Sequence, residues 1–235
     1  MKYNFFKKLT KTALGYPVLF INFKTYKEAT GKNAIVLASI AKKISVKFRK
    51  NIVIVAQPTD IGAVSKLGIT VFSQHIDAVT YGSCTGFILP EAIAQAGAKG
   101  TVLNHAEHKL SDDLLEKSIL RAKEAGLLVM ACAETTERAK KIASFKVKPD
   151  CIAIEPPELI GGNISVSTAK PEIISGTINA VKSVADIPLI TGAGIKNGLD
   201  AKKAIQLGCK GVFVASGIVK ASNKKKAIEE IVLGL

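Results

Sequence analysis

Tryptophan is absent from this chain, aromatic residues amount to only 6%, and the four cysteines (Cys84, Cys132, Cys151, Cys209) form no C-x-x-C pair. The cysteine spacing argues against a zinc site or a dithiol redox motif; it reads as reduced thiols in a cytoplasmic setting. No apolar run approaches the ~18 residues that a membrane span needs. Acidic residues are also scarce, 19 against 33 Lys and Arg, which leaves a formal charge of +14. Such a charge raises the question of nucleic acid. The basic residues are dispersed, however: pairs at 42–43, 140–141 and 202–203 and a triplet at 224–226 lie among apolar helix positions. No basic stretch interleaves with stacking aromatics, so nucleic-acid binding is not expected. A basic surface also suits an anionic small substrate, through electrostatic steering.

Hydrophobic residues make up 48% of the 235, enough for a sizeable core in one domain. The first sixteen residues are basic and lack acids, and they contain no apolar core or cleavage site of a signal peptide. They are expected to be an N-terminal extension, with the folded domain running from 17 to 235.

From there short apolar runs alternate with longer amphipathic ones. Strands are expected at 18–22, 51–56, 70–74, 100–104, 127–132, 151–155, 188–193 and 211–215. Most are rich in β-branched residues and almost continuously apolar, as in strands buried on both faces of a parallel sheet. Helical patterns fill 32–49, 59–67, 90–96, 111–125, 135–144, 170–184, 198–207 and 222–233, often followed by a stopping glycine such as Gly68 or Gly126. Eight strand–helix units without a linker predict an α/β fold, a single-domain (β/α)8 barrel, over the alternative of a doubly wound sheet.

Barrels of this kind carry their chemistry at the C-terminal strand ends. Strand one ends with Asn22 and Lys24, strand three with Gln74 and His75, and strand four with Asn104, His105, Glu107 and His108. Strand six ends in Glu155, while strands seven and eight end in "TGAG" and "ASG". Titratable groups thus gather on one side. Small residues that expose backbone N–H groups, suited to a phosphate, gather on the other.

The segments "INFKTYKEATG", "QHID", "TGFILPEAI", "LNHAEHKL", "IEPPELIG", "TGAGI" and "GVFVASGIVKA" resemble, in this order, the motifs of the triosephosphate isomerase family in its archaeal short form. The resemblance runs from about Pro17 to the C-terminus. It implies that Glu155 is the base that moves a proton between two carbons and His105 the electrophile at the carbonyl. Lys24 and Asn22 would hold the substrate, and Ile160, Gly194, Ala215 and Ser216 would bind phosphate through backbone N–H groups. It also implies a small phosphorylated triose as substrate, no metal or cofactor, and a homodimer or homotetramer in which residues 77–86 reach a neighbouring subunit. Two positions depart from the family pattern: Ala106 replaces a usual serine, and Gly162–Asn163 replace a usual threonine and glycine.

The chemistry is coherent without the family. Aldose–ketose isomerisation needs a base at carbon, a donor at oxygen and a positive field for the enediolate. Blander readings exist for each residue: a polar strand end for Glu155, a core histidine for His105, a surface lysine for Lys24. His105 and His108 lack a third ligand beside them for a metal. Two other functions compete, another phosphate-binding barrel enzyme and a non-catalytic basic interaction protein on the same scaffold.

Overall fold

The computed structural model describes residues 14–156 and 170–235. Eight strands close a barrel in sequence order: β1 Val18–Asn22, β2 Asn51–Ala56, β3 Thr70–Ser73, β4 Gly100–Leu103, β5 Leu128–Ala133, β6 Cys151–Ile154, β7 Leu189–Thr191 and β8 Gly211–Val214. Every neighbouring pair is parallel, including the closing pair β1 and β8, where Val18 lies opposite Gly211. This is the expected barrel.

Around it stand α1 Lys32–Phe48, α2 Pro58–Ser65, α3 Pro90–Gln95, α4 Asp112–Glu124, α5 Thr136–Ala143, α6 Pro171–Lys182, α7 Gly198–Gln206, α8 Ser216–Val219 and α9 Lys224–Leu233, among the described residues. None of them is long and apolar enough to cross a membrane. The starts follow local chemistry. Proline occupies the first turn of α2, α3 and α6, where its missing N–H is not needed. Thr135 caps α5 through a bond from Arg138 N, and Ser111 caps α4 through a bond from Leu114 N. Two short elements have no counterpart in the hydrophobic pattern: α8 and a 3-10 turn at Lys27–Ala29. Three or four residues are too few to show a period.

The core divides in two because strand side chains alternate. Leu19, Ile21, Ile52, Ile54, Ile152 and Ile154 face the helices, within the larger cluster. Val18, Phe20, Val53, Val55, Phe72, Val102, Met130, Cys132, Cys151, Ala153, Ile190 and Phe213 fill the barrel. Phe20 meets Phe72 and Phe213 edge-on, at centroid distances of 5.5 and 6.3 Å. Leu14 and Tyr16, from the expected extension, lie partly buried against this inner cluster. The same alternation, carried one step past the inner layer, brings Asn22, Asn104, Glu155, Gly192 and Ala215 to the upper mouth.

Barrel closure depends on a close approach at Gly211, where an added Cβ would lie 2.3 Å from Val18 O. Backbone cannot yield as a flexible side chain can. Gly211→Ala is therefore expected to destabilise the barrel by about 1–3 kcal/mol, the usual cost of overpacking. Thermal unfolding should show this as a loss of several degrees, and an unchanged midpoint would mean that the β1–β8 seam has slack.

Candidate active site

Glu155 follows β6 and is held by a bond from its own N–H to Ala133 O at 2.9 Å. Pro156 follows directly and has no N–H to continue the ladder, so the strand stops with the carboxyl at the rim. Only 8% of the residue is exposed. Burial is the main reason its pKa rises from 4.5 to about 7; Lys24 and the Cys132 thiol pull it down, and Glu107 adds a smaller upward push. One carboxyl oxygen, Oε2, is buried with no hydrogen-bond partner among the described residues. The other rests over Gly192, where an added Cβ would come within 2.7 Å of Oε1. Position 192 must be bare for the carboxyl to lie where it does.

His105 faces this carboxyl, with Nε2 3.6 Å from Glu155 Oε2. Its Nδ1 accepts a hydrogen bond from the backbone N–H of Glu107 at 3.2 Å. An accepting Nδ1 carries no proton, so the neutral ring bears its proton on Nε2, aimed into the site. Burial, then the nearby Lys24 charge, lower the His105 pKa to about 4, and Glu107 opposes them. At neutral pH the ring is therefore a neutral donor. Phe213 packs edge-on against it, at a centroid distance of 6.0 Å.

Lys24 sits just past β1 with φ at 45°, a left-handed conformation that side chains rarely take. Two bonds hold its backbone there: its N–H donates to Asn22 Oδ1 at 3.0 Å, and Gln74 Nε2 donates to its carbonyl at 2.8 Å. Its ammonium pairs with Glu107 at 2.7 Å. The Lys24 side chain is only 14% exposed and that of Glu107 61%, so the partner reaches in from the solvent side. Asn104, also left-handed at φ 59°, bridges its neighbours: Nδ2 donates to Cys132 O at 2.8 Å, and Oδ1 accepts from Leu110 N at 2.9 Å. That brace fixes the turn from which His105 projects.

A cleft of ≈ 560 Å³ opens between these groups and the ends of β7 and β8. Asn22, Lys24, His105, Glu155, Gly194, Ala215 and Ser216 all line it, so seven of the eight residues proposed from sequence come together. The eighth, Ile160, belongs to 157–169 and lies outside the described residues, with the Gly162–Asn163 departure. Across from the titratable groups, Ser216 and Gly217 begin α8, where the first N–H groups of a helix have no intrahelical acceptor. Gly194 beside them turns with φ at 75°. The cleft also takes in Tyr26, Gly192 and Lys196, which sequence reasoning missed. Gly192 was legible in principle, since it is two residues past the inward Ile190 and bare. No group of three or more His, Cys, Asp and Glu gathers as a metal ligand set among the described residues.

The family model described as triosephosphate isomerase matches residues 17–232. The triosephosphate isomerase of Methanothermus fervidus is 41% identical over 218 residues, covering 92% of this chain and 97% of that protein. That of Methanocaldococcus jannaschii is 42% identical over 217 residues, covering 92% and 98%. Among solved structures, the triosephosphate isomerase of Bartonella henselae has a TM-score of 0.68 at 20% identity, over 93% of this chain and 97% of that one, a likeness of fold. With the match running through nearly every strand and helix that builds the cleft, this chain belongs to the triosephosphate isomerase family.

Proposed function

We propose that this chain interconverts D-glyceraldehyde 3-phosphate and dihydroxyacetone phosphate by proton transfer through an enediolate, with Glu155, His105 and Lys24 as the reacting groups. Family membership supplies the reaction, an intramolecular aldose–ketose isomerisation. The observation that carries the assignment of roles is the facing pair Glu155 and His105, one carboxyl with a raised pKa and one imidazole held neutral. This pairing is the family's known division of labour.

Glu155 takes the proton from one carbon of the bound triose and returns it to the next. A carboxylate freed from water is a stronger base than a solvated one. The proton on His105 Nε2 points toward the developing oxyanion and stabilises it without transferring a full charge. The Lys24 ammonium offsets the negative charge of the enediolate and of the phosphate, and Asn22 orients Lys24 through its backbone N–H. Gly194, Ala215 and Ser216 would receive the phosphate, where unpaired N–H groups suit an anion. A basic surface would steer the dianionic substrate toward this cleft.

The cytoplasmic reading draws support from four free thiols, three of them buried, which suit a reducing compartment. A homodimer or homotetramer is favoured by the segment before α3. Arg121 of α4 ties it down by donating to Val79 O at 2.9 Å, and Tyr81 and Phe87 protrude from it, 67% and 58% exposed. Light scattering decides between the two sizes.

A coupled isomerase assay at low salt tests the reaction. Turnover that Glu155→Gln abolishes supports the reading, and a wild-type protein inert in this assay would leave another phosphate-binding barrel chemistry or the non-catalytic scaffold.

A further inference from the structure

Two walls of the cleft come from opposite ends of the chain. One is the loop after β1, which carries Lys24 and Tyr26; the other is α8, which opens with Ser216 and Gly217. Their strands pair as far as Ile21 and Val214. Past that point the loop leans on β2 instead, where Phe23 N donates to Val55 O at 3.0 Å, and among the described residues no backbone hydrogen bond joins it to α8. A side-chain contact does join them. The Lys220 ammonium lies over the Tyr26 ring, 4.5 Å from its centroid, well inside the ~6 Å over which a ring face attracts a cation. Among the described residues no carboxylate pairs with this ammonium. Both partners are fixed at the backbone. Tyr26 N donates to Phe23 O at 3.3 Å, and Tyr26 O accepts from Ala29 N and Thr30 Oγ1, each at 2.9 Å. The half-buried Tyr26 ring packs against the larger core cluster. Lys220 closes the single turn of α8, with its N–H donating to Ser216 O at 3.0 Å. A lysine resting on a ring often means nothing: Lys47 over Phe48, at 4.7 Å, joins chain neighbours and ties no elements together. Tyr26 and Lys220 stand on different walls, one two residues past Lys24 and the other one helical turn past Ser216.

We propose that Tyr26 and Lys220 are positioning residues, a strap that sets the distance between the Lys24 loop and α8 so that one phosphorylated ligand can span both walls. The proposal rests on the reading that the phosphate is received at Gly194, Ala215 and Ser216 while Lys24 meets the same ligand. On the β3 side the loop is already held, by Gln74 Nε2 on the Lys24 carbonyl at 2.8 Å. The strap supplies the matching hold on the β8 side. A bound ligand bridges the walls by itself, so the strap matters most before binding: it removes part of the ordering cost that the ligand would otherwise carry. Its loss therefore falls on KM and on inhibitor affinity more than on kcat.

The test is a double-mutant cycle read by calorimetric titration with phosphoglycolate. Tyr26→Leu and Lys220→Met should each weaken binding by about 2–5-fold, the factor that an exposed cation–ring contact is worth. KM should rise by a similar factor, with a smaller change in kcat. The double variant should bind no more weakly than either single one, because the second change removes half of a contact already broken. Tyr26→Phe keeps the ring and Lys220→Arg keeps the cation, so both should restore the affinity. If Tyr26→Leu does not fold, Tyr26→Met fills the space without a ring face and takes its place in the cycle. Additive losses overturn the proposal: Lys220 would then act on the phosphate through its own charge, and Tyr26 through its own packing. Unchanged affinity in either single variant overturns it too, as does an equal loss in Tyr26→Phe, which would place the effect on the hydroxyl. A wild-type protein that fails to bind phosphoglycolate removes the phosphate reading and the strap with it, whereas a binding wild type with an additive cycle removes the strap alone.

Discussion

Glu155→Gln will fold and lose nearly all turnover. The amide has the shape of the carboxyl but cannot accept a proton, and a positioned base is worth about 10²–10⁴-fold. The same variant will be more stable than wild type at alkaline pH, which separates chemistry from folding. In the folded chain the Glu155 pKa is about 7, above its ordinary 4.5. Between these values the folded state holds a proton that the unfolded state has given up. Stability therefore falls as pH rises through this window, and the full cost of the buried charge is present above pH 7. That cost is on the order of 1–3 kcal/mol. Glutamine carries no charge, so its melting temperature should exceed that of wild type at pH 8, and the gap should close at about pH 4.5. Near-normal turnover in the glutamine variant would remove Glu155 from the mechanism; an equal or lower melting point at pH 8 would mean that its charge is compensated when buried.

Lys24→Ala will lower kcat/KM by about 10²–10³-fold, the loss expected for one preorganised charge at a developing oxyanion. The local backbone should survive, because Asn22 and Gln74 hold position 24 through its main chain. Two further effects follow from the charge alone. Lys24 lowers the pKa of both His105 and Glu155, second only to burial in size. Both should titrate higher in the variant, narrowing the pH range in which a charged base faces a neutral imidazole. Binding of phosphoglycolate, a dianionic probe, should weaken and lose part of its salt dependence. Wild-type affinity for phosphoglycolate at low salt would deny Lys24 its electrostatic role.

The barrel was readable because its signals are redundant. Each strand is a short apolar run with its own flanking helix, so a boundary error in one leaves the count of eight intact. The errors fall at strand ends. Gln74, Asn104 and Glu155 were assigned to strands, yet β3, β4 and β6 stop one residue earlier. There the chain leaves the ladder to aim a side chain, and tertiary contacts outweigh propensity. Most site residues could be named because they are polar groups at the ends of apolar runs. Their partners could not. The tie between Lys24 and Glu107 spans 83 positions, and Gly192 lies 37 residues after the carboxyl it accommodates. The ring stack of His75 on His108, at 4.1 Å, is equally invisible in a linear reading. Left-handed Lys24 and Asn104 carry no local signature either, since their conformations are imposed by partners from other strands.

The seam between β1 and β8 sets an order of events during synthesis. Val18 is made early, but its partner Gly211 is made ~190 residues later. At about 5–20 residues per second the interval is about 10–40 s. Throughout it one edge of β1 stays unpaired, and Asn22 and Lys24 have no opposite wall at Ser216 to complete their cleft. Closing so long a loop is entropically costly, and the contacts that offset it arrive together at the end. A nascent chain halted before β8 therefore carries Glu155, His105, Lys24 and Gly194, yet lacks the Ala215–Ser216 wall that completes their cleft.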